Sequence, residues 1–325
     1  MPERVRKCPN CGGNLVAGRF DRETRCTFCN SQVLLDPSAV FASKFRDSHK
    51  EWNDPATYGL REWTTIAGQR WAVGDLVARG ETTDVFLATR ARFPAENALL
   101  RVVRDPALNG RLDNAWEVCR RLQASTARGA NLASRLPEPI LRGTAEEGAQ
   151  KGREAMLLRW AHGFRTTLEG VGRIQAQPSV WVLRRILEVL SFVHASGVAH
   201  GAIVPAHILI EAGDHGARLA GFGNAGTPGT KVTAFHARYR HLAPDEVLSF
   251  KADIQAAART IAHAVGGDPA TGVIDAPAPY SRAIQALVRD GALDGAPDAW
   301  AIREAIGPIA GAAFGKPAFC PLLPR

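Results

Sequence analysis

The chain has 325 residues, of which 46% are hydrophobic and 22% charged, a composition that is ordinary for a globular protein larger than one average domain. Its formal net charge is +8, but the arginines are spread along the whole chain, which favours a solvated surface over a dedicated nucleic-acid face. The amino terminus lacks the pattern of a secretory signal, and no apolar run approaches the roughly 20 residues that span a bilayer, so we expect a cytoplasmic protein without membrane contact.

Four of the six cysteines form two Cys-x-x-Cys pairs near the amino terminus. In a reducing compartment, two such pairs are typical of a tetrahedral metal site and not of disulfides. Four thiolates leave no open position for water, so the zinc that we expect there is structural and not catalytic. The predicted ligands are Cys8, Cys11, Cys26 and Cys29.

This pattern resembles a zinc ribbon over residues 1–36, with short strands at 14–16 and 32–34. A core of this size seldom folds alone, so metal binding would supply the folding energy of the module. Zinc ribbons serve protein contact, nucleic-acid contact or stability alone, and the fold does not choose among these roles. The module has only a mildly basic face and few aromatic residues, which is weak evidence for nucleic-acid binding. Protein docking is therefore favoured, and nucleic-acid binding stays open as an alternative.

Residues 37–67 read as a connector, with a short amphipathic helix expected at 39–52. Large aromatic side chains are seldom left in solvent, so Trp52, Tyr58 and Trp63 predict that the connector packs on the next domain.

The stretch from 71 to 103 has alternating apolar positions that predict an antiparallel hairpin and a third strand. A helix is expected at 111–124, a further strand begins near residue 153, and a wide apolar stripe predicts a long helix at 180–195.

A loop centred on His200 follows that helix, and then come an apolar strand at 208–210, a turn, and a second strand that ends before Gly221-Phe222-Gly223. The order of these parts resembles the eukaryotic-like serine/threonine protein kinases over about residues 68–310. The resemblance implies an α+β, bilobal protein-kinase-like domain, followed by a tail at 311–325.

In that family, an aspartate base, a lysine, an asparagine and a metal-binding aspartate surround ATP. On the resemblance these four positions are Ala202, Val204, His207 and Gly221. An alanine cannot accept a proton, and imidazole is a poor ligand for Mg²⁺, which prefers oxygen. The resemblance therefore implies that the site for catalysis and magnesium is lost.

The nucleotide pocket implied by the resemblance is also reduced. Only one glycine of the glycine-rich loop remains, Gly80, and Arg101 stands where the family has a strand lysine. The guanidinium of arginine is planar and extended, whereas the ammonium of lysine is a compact charge, so the exchange is not conservative. We expect Glu117 of the following helix to pair with Arg101. Further along, Asp253 matches the aspartate that opens the next helix of the larger lobe.

We therefore expect a catalytically inactive pseudokinase that acts as a scaffold or allosteric partner in a bacterial signalling assembly. The zinc ribbon would be a second docking element. Zinc is the expected cofactor, and ATP with Mg²⁺ is not expected to bind. A protein partner is expected, and by analogy it would be a phosphatase or a von Willebrand A-type protein. The alternative reading is a divergent ATP-binding kinase or nucleotide sensor with a rearranged site, and a second alternative is nucleic-acid binding through the ribbon.

Overall fold

The computed structural model describes residues 6–8, 13–17, 21, 23–28, 32–35, 62–90, 96–161, 163–164, 166–211, 215–233, 236–242, 246–320 and 322. The helix predicted at 39–52 lies outside the described residues, as do Trp52 and Tyr58. Among the described residues, no helix combines the length and the apolar character that crossing a membrane would require.

The amino-terminal segment forms two short antiparallel hairpins. The first pairs β1 with β2 and the second pairs β3 with β4. These strands are β1 (Arg6–Lys7), β2 (Asn14–Leu15), β3 (Glu23–Arg25) and β4 (Gln32–Leu34). The strand predicted at 14–16 ends one residue early, and the strand predicted at 32–34 is present. A small shared core of Cys8, Cys26, Leu15, Val33 and Leu35 joins the two hairpins.

The next lobe is built on one six-stranded antiparallel sheet in the order β5-β6-β7-β8-β10-β9. Its strands are β5 (Glu62–Ile66), β6 (Gln69–Arg79), β7 (Thr83–Arg90), β8 (Glu96–Val103), β9 (Pro139–Thr144) and β10 (Glu154–Arg159). The predicted hairpin and third strand correspond to β6, β7 and β8. The sheet curls until its edges meet, because Ile66 of β5 bridges to Ala145 just after β9. Trp71, Leu100 and Leu157, all fully buried, fill its concave side.

The connector was expected to run to residue 67, but its last residues form the edge strand β5. The turn at Ala67 and Gly68, both with positive φ, then leads into β6. Trp63 was expected to be buried, but 42% of it is exposed. Arg70 lies over the Trp63 ring at 4.7 Å from the centroid, so a cation–π contact replaces core packing.

The larger lobe is helical, with a small sheet of β11, β12 and β13 against it. The helices are α1 (Asp113–Gln123), which adjoins the first sheet, α2 (Leu168–Val171), α3 (Ala176–Ala195), α4 (Phe250–Ala264), α5 (Ala278–Asp290) and α6 (Ala299–Phe314). The strands are β11 (Thr166–Thr167), β12 (Ile208–Glu211) and β13 (Gly216–Leu219).

Helix α3 is the centre of this lobe, and it begins four residues before the predicted start. Its apolar stripe is buried in one large core that also takes residues from α4, α5 and α6. Side-chain caps fix the starts of two neighbours, where Ser249 accepts from Ala252 N and Asp298 accepts from Ala301 N. Helix α6 continues to Phe314, so the tail starts later than residue 311. The tail folds back onto the lobe, because Leu322 is buried in the core.

Candidate functional site

The loop around His200 is held by a buried aspartate, Asp253, near the start of α4. One Asp253 carboxylate oxygen accepts from the backbone N–H of His200 at 2.7 Å, and the other accepts from Gly201 at 2.8 Å. His194 at the end of α3 contacts the same carboxylate at 3.0 Å. These bonds use the carboxylate fully, so Asp253 positions the loop and is not available for chemistry.

The imidazole of His200 is part of the same framework. Its Nδ1 accepts from the N–H of Ala202 at 3.2 Å, which leaves the proton on Nε2, and Nε2 donates to the carbonyl of Ala220 at 2.9 Å. Burial lowers the pKa of His200 to about 4, although the nearby Asp253 carboxylate and the hydrogen bond to Ala220 act in the opposite direction. His200 is therefore a neutral spacer that joins the loop to the end of β13.

At the centre of the site, the imidazole of His207 lies against Gly221. A Cβ atom on Gly221 would come within 2.3 Å of the His207 ring, and the φ of Gly221 is +81°, a conformation that favours glycine. His207 Nδ1–H donates to the carbonyl of Ala202 at 2.9 Å. The substitutions at positions 207 and 221 are thus complementary, since the ring of one occupies the side-chain space of the other.

The chemistry of His207 suits packing more than ligation. Burial and, next, the nearby His236 lower the pKa of His207 to about 3. Its ring meets the His236 ring edge-on, with centroids 4.7 Å apart. His207 is neutral at physiological pH and offers nitrogen where Mg²⁺ would need oxygen. The imidazole of His236 covers the ring of His207.

The positions of the family's base and lysine carry buried apolar side chains. Ala202 is 7% exposed and Val204 is 6% exposed. Val204 packs in a small cluster with Tyr239 and Leu242, which belong to the segment that follows Gly221-Phe222-Gly223. That segment therefore lies on the position where a lysine would reach into the cleft.

The guanidinium of Arg101 is buried beside Thr83 at the start of β7, but the predicted pair with Glu117 is not formed. Arg101 Nε donates to Thr83 Oγ1 at 3.1 Å. The α1 side chain that acts on it electrostatically is Cys119, whereas Glu117 is exposed on the other side of the helix. Burial lowers the pKa of Arg101, and burial raises the pKa of the Cys119 thiol to about 12, so the thiol is uncharged. The guanidinium therefore has no carboxylate partner from α1.

Gly80 lies in the tight turn between β6 and β7. Its N–H donates to the carbonyl of Thr83 at 2.8 Å. Two arginines approach Asp84 in the same loop, Arg79 at 3.5 Å and Arg104 at 3.7 Å. The charged side chains of this loop and of the adjacent Arg104 therefore pair with one another.

The same loop also reaches across the mouth of the cleft. The Glu81 carboxylate accepts from the backbone N–H of Ala237 at 2.5 Å. Ala237 belongs to the segment that supplies His236 and Tyr239, so the smaller lobe is tied to this segment directly.

Two residues of this site were missed by the sequence reasoning. Cys119 carried a signal that was available, since Ala115, Val118, Cys119 and Leu122 follow the spacing of one buried helix face and Glu117 does not. His236 had no such signal, because its neighbours are distant in sequence and its segment has no regular period.

Two of the four predicted zinc ligands lie within the described residues. Cys8 and Cys26 are 2% and 1% exposed, and they share the small core between the hairpins. The turn after Cys8 is closed by its N–H, which donates to the carbonyl of Gly13 at 2.7 Å. Cys11 and Cys29 lie outside the described residues, and within the described ranges no group of three or more metal-binding side chains occurs. The donor type and the burial of Cys8 and Cys26 fit a thiolate-bound zinc.

Comparison with known proteins identifies the fold. No protein-family model matches the chain. Over 157 residues it is 30% identical to the serine/threonine-protein kinase PknD of Mycobacterium tuberculosis, in strains CDC 1551 and H37Rv. That match covers 45% of this chain and 24% of the relative, so the chain spans about a quarter of the curated relatives it matches.

Two solved structures from Toxoplasma gondii extend the likeness over most of the chain. One is a specific rhoptry antigen kinase domain, with a TM-score of 0.53 over 78% of this chain and 86% of that domain. The other is a rhoptry kinase, with a TM-score of 0.56 over 85% of this chain and 89% of that chain. Both are 14% identical in sequence. The chain has the protein kinase fold, and part of its sequence is similar to a bacterial serine/threonine kinase.

Proposed function

We propose that this chain is a kinase-fold protein without phosphotransfer activity, which acts as a scaffold or allosteric partner. The observation that carries the proposal is the pair of His207 and Gly221, in which an imidazole fills the space of a metal-binding side chain. Phosphoryl transfer depends on positioning and on charge neutralisation by metal ions. A site that offers Ala202, Val204 and two neutral imidazoles supplies neither.

A scaffold role is supported by what the chain keeps. Asp253 still fixes the loop around His200, and the segment after Gly223 is packed on Val204 and tied to Glu81. These contacts link the smaller lobe to the segment after Gly223 and anchor the loop around His200 in the larger lobe. A partner would recognise that fixed surface. By analogy with bacterial kinase-like proteins that carry zinc ribbons, we propose a phosphatase or a von Willebrand A-type protein.

The metal dependence of ATP binding tests this proposal in a thermal-shift titration. A chain without a magnesium site should have the same Tm with ATP and with ATP plus Mg²⁺, because binding of a ligand raises Tm only through its affinity for the folded state. A further rise of several degrees on adding Mg²⁺, lost in the Gly221→Ala variant, would contradict the proposal.

The second candidate function is a nucleotide sensor that works without metal, and Arg101 favours it. Its guanidinium is buried in the cleft with a thiol and a hydroxyl as neighbours. A triphosphate would supply the missing negative charge. In the same titration, a metal-independent rise in Tm with ATP that disappears in the Arg101→Gln variant would select the sensor over the scaffold.

The amino-terminal hairpins are proposed to hold one structural zinc through Cys8, Cys11, Cys26 and Cys29 and to serve as a second docking element. Elemental analysis of the purified protein should give one zinc per chain. The Cys8→Ser variant should lose it, and Cys320→Ser should keep it as the matched control. A metal-free protein with intact hairpins would contradict the zinc site. Binding of the hairpins to RNA or DNA with steep salt dependence would favour the nucleic-acid alternative.

A further inference from the structure

A second cavity lies in the larger lobe, away from the cleft between the lobes. It is a half-open pocket between α3, α6 and the carboxyl-terminal tail, and its volume is about 340 Å³. Sites for small molecules commonly measure about 300–1,000 Å³ and are lined mainly by apolar groups with a few polar ones. Here the apolar lining comes from Val180, Trp181, Pro308 and Phe314.

One wall of the cavity is fixed by a stack of three rings. His215 lies between Trp181 and Phe319, with centroid distances of 4.4 Å and 4.2 Å and nearly parallel planes. The tail is anchored there, because the carbonyl of Cys320 accepts from His215 Nε2 at 2.9 Å and from Trp181 Nε1 at 3.3 Å. The cavity is thus preformed, which reduces the entropy cost of filling it.

Among the charged side chains that line the cavity, Arg184 on α3 is the most buried. The residue is 9% exposed, and its Nε atom is buried without a hydrogen-bond partner among the described residues. Two carboxylates act on Arg184, and both pair with other arginines: Glu188 pairs with Arg185 at 2.6 Å, and Glu304, which also lines the cavity, pairs with Arg303. A buried cation in this position is costly unless an anion meets it.

The pKa of Arg184 is lowered, as expected for a buried cation. Burial lowers it, and the neighbouring Arg303 and Arg185 lower it further, while Glu304 and Glu188 act in the opposite direction. A carboxylate bound against the guanidinium would raise it again, because an opposite charge favours the ionised form.

We propose that this cavity binds a small amphipathic monocarboxylate, with its carboxylate on Arg184 and its apolar chain along Trp181 and Phe314. The guanidinium fork matches the geometry of a carboxylate, and one buried cation balances one negative charge. A dianion such as a phosphate monoester is disfavoured, because Glu304 and Glu188 lie close by. Lys316 at the rim adds a second, more solvated positive charge.

Gly311 on α6 gives a way to block the cavity without disturbing the core. A Cβ atom at this position would meet nothing within 4 Å, so a larger side chain can extend into the open space. Leucine is a strong helix former, and alanine provides the matched control that adds helix propensity with little volume. Arg184→Gln removes the charge and keeps much of the side chain.

The test is calorimetric titration of the full chain and these variants with octanoate and with 1-octanol. The wild-type chain should bind octanoate at least about tenfold more tightly than octanol, the factor expected for one charge-assisted hydrogen-bonded pair. Arg184→Gln should remove that difference by weakening octanoate alone. Gly311→Leu should abolish binding of both probes, and Gly311→Ala should retain it.

Three results would overturn the proposal. The first is equal affinity of octanoate and octanol for the wild-type chain, and the second is unchanged octanoate binding in Gly311→Leu. The third is no heat and no rise in Tm with octanoate up to millimolar concentration. The circular dichroism spectra and melting temperatures of the variants show whether each one is folded, so a loss of binding is not confused with a loss of structure.

Discussion

At the scale of single residues, His207 and Gly221 form one unit. An imidazole at 207 would conflict with any side chain at 221, because the two need the same volume. The sequence showed both departures from the kinase pattern but not their contact, since two positions fourteen residues apart reveal no packing by themselves. The structure explains why they occur together.

Gly221→Ala should destabilise the protein by at least about 2 kcal/mol, since it combines a positive φ with a clash against the His207 ring. The control is Gly223→Ala, where a Cβ atom meets nothing within 4 Å, and its effect should stay within about 0.5 kcal/mol. Urea unfolding measures both. In a His207→Ala background, Gly221→Ala should cost less, and a cost that is the same in both backgrounds would show that the two residues are not coupled.

The buried histidines also predict a dependence of stability on pH. The folded pKa values of His207 and His200 are about 3 and about 4, below the ordinary value of 6.5. The unfolded chain therefore binds more protons than the folded chain between these limits, so stability is complete above about pH 6.5 and declines as the pH falls towards the folded values.

Between pH 7 and pH 5, each of these histidines should remove up to about 2 kcal/mol of unfolding free energy. Urea unfolding of the wild-type chain and of His207→Gln at both pH values checks this. The variant should lose less stability on acidification than the wild type does. Equal losses in the two proteins would mean that His207 is not held neutral in the folded state.

At the scale of secondary structure elements, the orientation of helix α1 was predicted incorrectly. Its limits were predicted within two residues, yet the wrong side chain was paired with Arg101. The family resemblance suggested that a carboxylate should face the cleft, whereas the apolar periodicity of the helix places Cys119 there and Glu117 in solvent. The local physical pattern was the better guide to orientation.

Helix α1 is tied to the site through Asn114. Its Nδ2 donates to the carbonyls of Gly223 and Ala225, both at 2.8 Å. Asn114→Ala should cost about 1–3 kcal/mol, because two backbone acceptors lose their donor. Hydrogen exchange should rise in α1 and in the segment that begins at Gly223.

Asn131→Ala is the matched control, because that residue is exposed and only its backbone carbonyl is engaged. It should leave stability and the exchange pattern unchanged. If both variants had the same effect, Asn114 would not be the link between helix and segment.

At the scale of the whole molecule, the order of elements could be predicted because it follows from local periods and turn residues. The hairpin β6–β7, strand β8, helix α3 and the β12–β13 unit all lie where the apolar patterns indicated. Strand β5 was missed, although it forms an antiparallel hairpin with β6 through the turn at Ala67 and Gly68, because these residues were assigned to the connector. The covering of the cleft by His236 and Tyr239 could not be predicted, because it depends on a segment without periodicity.

We propose that this chain has the kinase fold without the groups for phosphoryl transfer. The most direct test is incubation of the purified chain with γ-labelled ATP, Mg²⁺ or Mn²⁺, and general protein substrates, with Arg101→Ala as the control for a contaminating kinase. The account predicts that transfer to substrate or to the chain itself does not exceed the level of the Arg101→Ala variant. Transfer by the wild-type chain that is lost in Arg101→Ala would contradict it.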